Sequence, residues 1–214
     1  MKRIIIISAL ALLAVSCHKV PYPQDRDGEY LVYTAPGKDV DFTKFKTFSI
    51  ADSLLVIGRS DKAEYSKSEN ALALVRRYRS NMESLGYTYT PDAKSADLGI
   101  QVTYIIKTER YVQYYDHPYW WLDYPGYWHP GYWGDWYGYY YPRPVTYVQS
   151  TNALVAEMVD LTAEKGADKP LVIVWSSYLG GYAGASASRD LARMMGAIDQ
   201  AFVQSPYLVH PEDK

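Results

Sequence analysis

The run DLGIQVTYII occupies residues 97–106. Large apolar side chains recur there at every second position, at Leu98, Ile100, Val102, Tyr104 and Ile106. Alternation with a period of two is the pattern of a strand that buries one of its faces. We therefore predict a strand in this region, with a core on the face that these side chains share.

A shorter strand and a helix precede this strand. Phe48 and Ile50 alternate with polar residues, which predicts a strand. A helix is predicted next, because Ser66 and Glu69 form a capping-box pattern and Gly86 is a typical terminating glycine. The apolar stripe of this helix consists of Leu72, Val75, Tyr78, Met82 and Leu85.

A predicted hairpin follows the long strand after an insert. Residues 145–161 have an extended pattern, and turn residues at 164–168 separate them from a further strand at 171–177. We expect these two strands to be antiparallel neighbours. Alternation places Glu157 and Asp160 on opposite faces, where we interpret them as solvated or edge positions.

A closing helix completes the order of elements. It is predicted to begin at Ser186 or Ser188 and to end before Pro206, with a buried stripe through Leu191, Met194 or Met195, Ile198 and Phe202. The whole order predicts an α+β fold, with a mixed or antiparallel sheet of about four to five strands and two main helices on one face. A long aromatic insert separates two of the strands.

The N-terminus has the features of a secretory signal. Lys2 and Arg3 precede an apolar run that is too short to span a bilayer. The run ends in residues 13–17, Leu-Ala-Val-Ser-Cys, which resemble a bacterial lipobox. Such a cysteine carries acyl chains, so we predict lipidation at Cys17 and attachment of the mature protein to a membrane.

These features divide the chain into a lipoprotein signal peptide at 1–16, a tether at 17–40 and a single α+β domain at 41–210. The tether is polar and interrupted by proline, with a short strand expected near residues 30–34. The insert occupies residues 111–144. We expect a cell-envelope location at the outer membrane, with the side that the protein faces left open.

Several segments, in this order and spacing, resemble a family of bacterial lipoproteins known as domain of unknown function 4136. The resemblance extends over residues 41–207 and implies a lipid-anchored α+β domain without assigned catalytic residues. It rests on the segment Asp41–Phe48, the helix end Leu85-Gly86-Tyr87, the strand start Ala96–Ile100, the hairpin Ala153–Trp175 and the helix segment Gly196-Ala197-Ile198.

The aromatic insert is the most unusual feature of the sequence. Of the 31 residues at 111–141, 16 are Tyr or Trp, whereas none is Lys or Arg. A monomer rarely exposes an apolar patch above about 300–600 Å², so most of these rings must be covered by something. Two interpretations remain open: the rings pack on the sheet as a local core, or they bind something outside the domain.

If the rings bind, flat apolar faces with polar edges suit a protein partner, self-association, a membrane interface or stacking on sugars. A protein contact is the first hypothesis and a glycan-binding module is the alternative. The candidate contact residues are Tyr119, Trp120, Trp121, Tyr127, Trp128, Tyr132, Trp133, Trp136 and Tyr137.

Other functional classes have little support in the sequence. The net charge is −2 and the insert is acidic, which disfavours nucleic acid as a partner. Acidic and histidine side chains of the insert match no metal-site spacing, and the glycines at 180–184 lack the lysine of a phosphate loop. We therefore predict no metal, no cofactor and no catalytic residues, and hence a protein that is not an enzyme.

Overall fold

The structure is a computed structural model, and it describes residues 31–58, 62–106, 139–140, 152–163, 171–181 and 187–208. Nine strands lie in these ranges. They are β1 (Leu31–Pro36), β2 (Thr47–Ile50), β3 (Leu54–Ile57), β4 (Glu64–Ser66), β5 (Thr88–Tyr89), β6 (Leu98–Ile105), β7 (Tyr139–Tyr140), β8 (Ala153–Asp160) and β9 (Leu171–Gly180).

All nine strands belong to one mixed sheet. The main order is β1-β9-β8-β6-β2-β5. The long central strands β6, β8 and β9 pair in antiparallel fashion, which confirms the predicted hairpin and the predicted strand over residues 97–106. β8 is buried along its whole length, as expected for a central strand that is covered on both faces.

On the side of β6 that faces away from β8, two short strands pair with it one after the other. β2 pairs in parallel with the first half of β6, and β3 pairs in parallel with the second half. Residues 51–53 link them, and the Ala51 N–H donates to the Ile100 carbonyl at 3.2 Å. β5 then extends the sheet beside β2, and β4 extends it beside β3.

The first helix, α1 (Glu69–Ser84), has well-formed ends. Its N-cap is Ser68, whose hydroxyl accepts from the Ala71 N–H, so the prediction that Ser66 caps the helix is wrong. Gly86 has φ 90°, and the N–H groups of Gly86 and Tyr87 return to the carbonyls of the last turn. This is a Schellman motif, and it confirms the predicted terminating glycine.

The second helix, α2 (Ala187–Val203), precedes a short 3-10 turn at Pro206–Leu208. Both helices lie on the same face of the sheet, where α2 packs against α1, β1 and β9. The predicted α+β class, with two main helices on one face, is therefore confirmed. We call this face the helix-covered face.

The core of the helix-covered face joins the alternate side chains of the strands to the buried stripes of the helices. Tyr78 of α1 is fully buried and its hydroxyl lies 3.0 Å from the Ser177 hydroxyl of β9. On the same face, the indole N–H of Trp175 donates to Ser205 Oγ at 2.9 Å. These buried polar contacts fix both helices to the centre of the sheet.

The opposite face, which we call the second sheet face, is also buried. It carries a separate apolar cluster of Ala51, Leu55, Ile57, Ala96, Ile105, Ala153, Val155, Val159, Leu161, Leu171, Ile173 and Tyr178. Both described helices lie on the other side of the sheet.

Two expectations about size need correction. The predicted sheet of about four to five strands is too small, because short edge strands extend both of its sides. The predicted domain start at residue 41 is also too late. The strand expected near residues 30–34 is β1, and all of its residues pair with β9, so the sheet already includes Leu31.

Candidate functional site

The sequence-predicted functional residues lie outside the described ranges. These residues are Cys17, Tyr119, Trp120, Trp121, Tyr127, Trp128, Tyr132, Trp133, Trp136 and Tyr137. What the structure does describe is the part of the sheet from which the insert departs and to which it returns.

The strands that flank the insert in sequence end next to each other. β6 ends at Ile105, which is paired with Ala153, the first residue of β8. The segment between β6 and β8, which contains the insert, therefore begins and ends at the same end of two neighbouring strands. Between these points, Tyr139 and Tyr140 pair in parallel with Leu171 and Val172, at the opposite end of the sheet.

A polar row crosses the middle of the second sheet face. Gln101 of β6 is paired with Glu157 of β8, and Glu157 is paired with Ser176 of β9. Residues paired across strands share a face, so the three side chains are neighbours. All three are buried, with Glu157 at 0% exposure. Ser176 Oγ has no hydrogen-bond partner among the described residues.

The burial of Glu157 and Asp160 contradicts the expectation of solvated or edge positions. Both lie in the central strand β8, on opposite faces, as alternation predicts. Asp160 is 8% exposed, and it accepts hydrogen bonds from the Thr162 N–H at 2.8 Å and from Lys44 Nζ at 3.1 Å. The expectation failed because β8 lies between β6 and β9 and both of its faces are covered.

A buried tyrosine, Tyr178, lies close to this row. Tyr178 of β9 is paired with Val155 on one side and with Tyr33 of β1 on the other. Burial raises the pKa of the Tyr178 hydroxyl far above its usual range. It therefore stays neutral at physiological pH and is no candidate for a phenolate nucleophile. On the helix-covered face, partial burial likewise raises the pKa of Tyr104; a hydrogen bond with Asn152 opposes this effect and the charge of Asp190 adds to it.

A charged contact fastens the two helices together at the surface. Arg77 of α1 and Asp199 of α2 form a two-pronged ion pair, in which Arg77 Nε donates to Asp199 Oδ1 at 2.6 Å. Asn81 donates a further hydrogen bond to Asp199 at 3.0 Å. Desolvation acts to raise the pKa of Asp199, but the bonds from Arg77 and Asn81 and the charge of Arg77 outweigh it and lower that pKa.

This contact predicts a small acid-dependent loss of stability. A lowered folded-state pKa favours the charged carboxylate, so its stabilisation is present above the unfolded-state value of about 3.9 and is lost as the pH falls through the folded-state value. At pH 7 we expect Asp199→Asn to lower the free energy of unfolding by only about 0.5–1 kcal/mol, because both side chains are partly exposed.

Urea titrations of the wild type and Asp199→Asn at pH 7 and near pH 2.5 would check this expectation. The difference between the two proteins should shrink at the lower pH. Asp52→Asn is the matched control, since Asp52 pairs with Lys67 at a much more exposed position. A difference for Asp199→Asn that is independent of pH would contradict the prediction.

The polar row is a site that sequence analysis missed. Period-two alternation correctly places Gln101 and Glu157 on the face opposite the helices. The sequence of the strands does not indicate, however, that this face is also buried. Within the described ranges, no group of three His, Cys, Asp or Glu side chains converges as a metal site would require. The row can accept and donate hydrogen bonds, and it is closed to water.

Comparisons with known proteins support a family assignment. A crystal structure of a DUF4136 family protein (BT2437) from Bacteroides thetaiotaomicron VPI-5482 is similar to this chain, with 48% sequence identity and a TM-score of 0.78. The match covers 86% of this chain and 99% of that chain. No curated protein matches significantly.

A PDZ domain protein from Parabacteroides distasonis ATCC 8503 is far less similar. It has 17% sequence identity and a TM-score of 0.37, over 84% of this chain and 37% of that chain. By contrast, residues 32–207 match the family described as Domain of unknown function (DUF4136). This match covers most of the chain and confirms the resemblance found in the sequence: the protein belongs to the DUF4136 family.

Proposed function

We propose that the protein is a cell-envelope lipoprotein without enzymatic activity, held at a membrane by acyl chains on Cys17. In this proposal its aromatic insert contacts a protein partner or a second copy of the chain. The observation that carries the anchor is the N-terminal pattern, in which a charged start and a short apolar run end at the only cysteine of the chain.

The distance between anchor and domain supports this proposal. β1 begins at Leu31, 14 residues after Cys17. Fourteen residues span at most about 46–50 Å even when fully extended, which limits how far the domain can lie from the bilayer surface. No helix in the described ranges is long and apolar enough to cross a membrane.

Replacing the cysteine tests the anchor. We expect Cys17→Ser to move the protein from the membrane fraction to the soluble fraction, or to leave it unprocessed, because no acyl chain can be attached. Ser16→Ala is the matched control, since it keeps a small residue before the cysteine. The measurement is membrane fractionation with mass spectrometry of the N-terminal peptide. A processed Cys17→Ser protein that stays in the membrane would refute the anchor.

The composition of the insert supports the proposed contact. Tyr and Trp contribute large, rigid apolar surfaces with a polar edge, and they are enriched at the energetic centres of protein interfaces. Five of the six tryptophans of the chain lie at residues 111–141. The two copies of Pro-Gly-Tyr-Trp at 125–128 and 130–133 provide adjacent, similar surfaces.

Two indoles of these repeats allow a sharp test. We expect Trp128→Ala with Trp133→Ala to weaken self-association, or capture of an envelope partner, by about tenfold or more, as for central interface residues. Sedimentation velocity over a range of concentrations measures self-association, and pull-down from solubilised envelopes measures capture of a partner. Tyr65→Ala is the control, because Tyr65 is an exposed ring outside the insert. Unchanged association would refute the contact, and tryptophan fluorescence changes on polysaccharide titration would favour the glycan-binding alternative.

A further inference from the structure

We propose that the outer edge of β1 pairs in antiparallel fashion with the same edge of a second copy of this chain, so that two copies share one continuous sheet. β1 ends the order of the described sheet, because it pairs with β9 on one side and with no described strand on the other. Most of its residues are partly exposed. This contact does not involve the aromatic insert and needs no lipid anchor.

A hydrogen bond just after β1 shows which of its backbone groups point outward. The N–H of Gly37 donates to the Val174 carbonyl at 2.6 Å, and this pair continues the register of β1 with β9. Residues that bond to the neighbouring strand alternate along an antiparallel pair. The odd-numbered residues of β1 therefore bond to β9, while the N–H and carbonyl groups of Val32 and Thr34 point away from it.

The other end of β9 supports the same assignment. The N–H of Gly181 donates to the Asn152 carbonyl at 3.4 Å, on the side of β8. Its neighbour Gly180 consequently faces β1, where it is paired with Leu31. Bonds from β1 to β9 thus fall on odd-numbered residues at this end too.

The composition of β1 lacks the usual protection of an edge strand. Natural edge strands avoid pairing with other chains by being very short, by carrying charges or by containing proline. β4 has Glu64 between Lys62 and Lys67, and β5 and β7 have only two residues each. β1 has six residues without a charged side chain, and its one proline, Pro36, stands at its end. Among the described edges, β1 is therefore the one best suited to pair.

The outward groups favour a second copy as the partner, because they are complementary to themselves. In an antiparallel pair centred on Tyr33, Val32 lies opposite Thr34 of the second copy, and Thr34 lies opposite Val32 of that copy. Each pair exchanges two hydrogen bonds, so no outward group of these two residues stays unpaired. A shift of two residues would place Pro36, which has no N–H, opposite Val32, and the Val32 carbonyl would lack a donor.

This geometry is compatible with the anchor of the proposed function. The two copies of Leu31 would lie about 14 Å apart, because four residue steps separate them along the paired strands. Leu31 follows Cys17 by 14 residues, which reach at most about 46–50 Å. Both anchors can therefore enter the same bilayer, and confinement there would raise the effective concentration of the two edges.

Single cysteines in a Cys17→Ser chain test the pairing. Tyr33 lies on the proposed two-fold axis, where opposite Cα atoms are about 4.5 Å apart, within the range of a disulfide. Two copies of Val32 would be about 8 Å apart, which is too far. Under mild oxidation we expect Tyr33→Cys to form a covalent dimer at least about tenfold faster than the matched control Val32→Cys. Equal or slower cross-linking of Tyr33→Cys would overturn the inference.

Thr34→Pro provides a second test that does not depend on the folding of Tyr33→Cys. Proline removes the outward N–H of Thr34 but no bond to β9, and edge strands tolerate proline at such positions. In sedimentation velocity of the Cys17→Ser chain, we expect Thr34→Pro to weaken dimerisation by about tenfold or more, because one bond is lost from each copy. Thr34→Val keeps the N–H and should leave dimerisation unchanged. Equal dimerisation of the two variants, or a Cys17→Ser chain that stays monomeric at its highest soluble concentration, would overturn the inference.

The tryptophan variants of the insert separate this contact from the proposed function. The cross-link through Tyr33→Cys should persist when Trp128→Ala and Trp133→Ala are added, since the β1 edge does not include the insert. If the cross-link is lost in that chain, the copies associate through the insert, so the inference about β1 is overturned while the proposed function stands. If the cross-link persists and the tryptophan variants leave association unchanged, the β1 contact is supported and the insert contact fails.

Discussion

Replacing Trp175 with alanine is expected to lower the free energy of unfolding by about 3–5 kcal/mol, a typical cost for removing a large buried aromatic ring. Trp175 is fully buried on the helix-covered face of β9. Its ring lies 5.5 Å from that of Phe202 in α2, and its N–H donates to Ser205 just after the helix. One side chain thus connects the central sheet to the closing helix, and alanine would leave both a cavity and a buried hydroxyl with one bond fewer.

Urea unfolding followed by far-ultraviolet circular dichroism would measure this loss. Trp175→Phe keeps most of the apolar volume but removes the N–H, so its effect should be clearly smaller than that of alanine. Val203→Ala is the surface control, because Val203 lies on the same helix at 72% exposure, and its effect should stay within about 0.5 kcal/mol. A loss below about 1 kcal/mol for Trp175→Ala would show that the indole is not central to the core.

The long, strongly alternating segments were predictable because burial alone determines their pattern. Residues 97–106 and the two strands of the hairpin bury large side chains at fixed spacing, and the structure places these strands at the centre of the sheet. Gly86 was equally predictable, since a positive φ at the end of a helix favours glycine for a local steric reason.

The short strands were not predictable because their pairing partners are distant in sequence. β5 has only two residues, and β3 and β4 are short strands whose pairing depends on β6 and on each other. β1 follows a proline-rich segment and has intermediate burial at most of its positions. Such strands are stabilised by the neighbours that they meet in the fold, which local propensity does not reveal.

Glu157 shows a similar limit for the candidate site. A glutamate in a strand is usually exposed, so the sequence pattern favoured a solvated position. Its burial has two causes that an alternating sequence pattern does not indicate: β8 is a central strand, and the second sheet face is covered. The same cover explains why an alternating strand pattern can have both faces buried.

Glu157→Ala should produce a loss of stability comparable to that of Trp175→Ala, about 3–5 kcal/mol, because it leaves a cavity in a fully buried strand and removes a hydrogen-bonding group from the polar row. Glu157→Gln keeps the size and a hydrogen-bonding oxygen, so its loss should be clearly smaller than that of alanine. Glu83→Ala is the control, an exposed glutamate in a helical ion pair with Arg79, with an expected effect of about 0.3–0.5 kcal/mol. Denaturant titrations at pH 7 would compare the three variants. If Glu157→Ala stayed within about 1 kcal/mol of the wild type, the Glu157 side chain would not be the polar centre of the second sheet face.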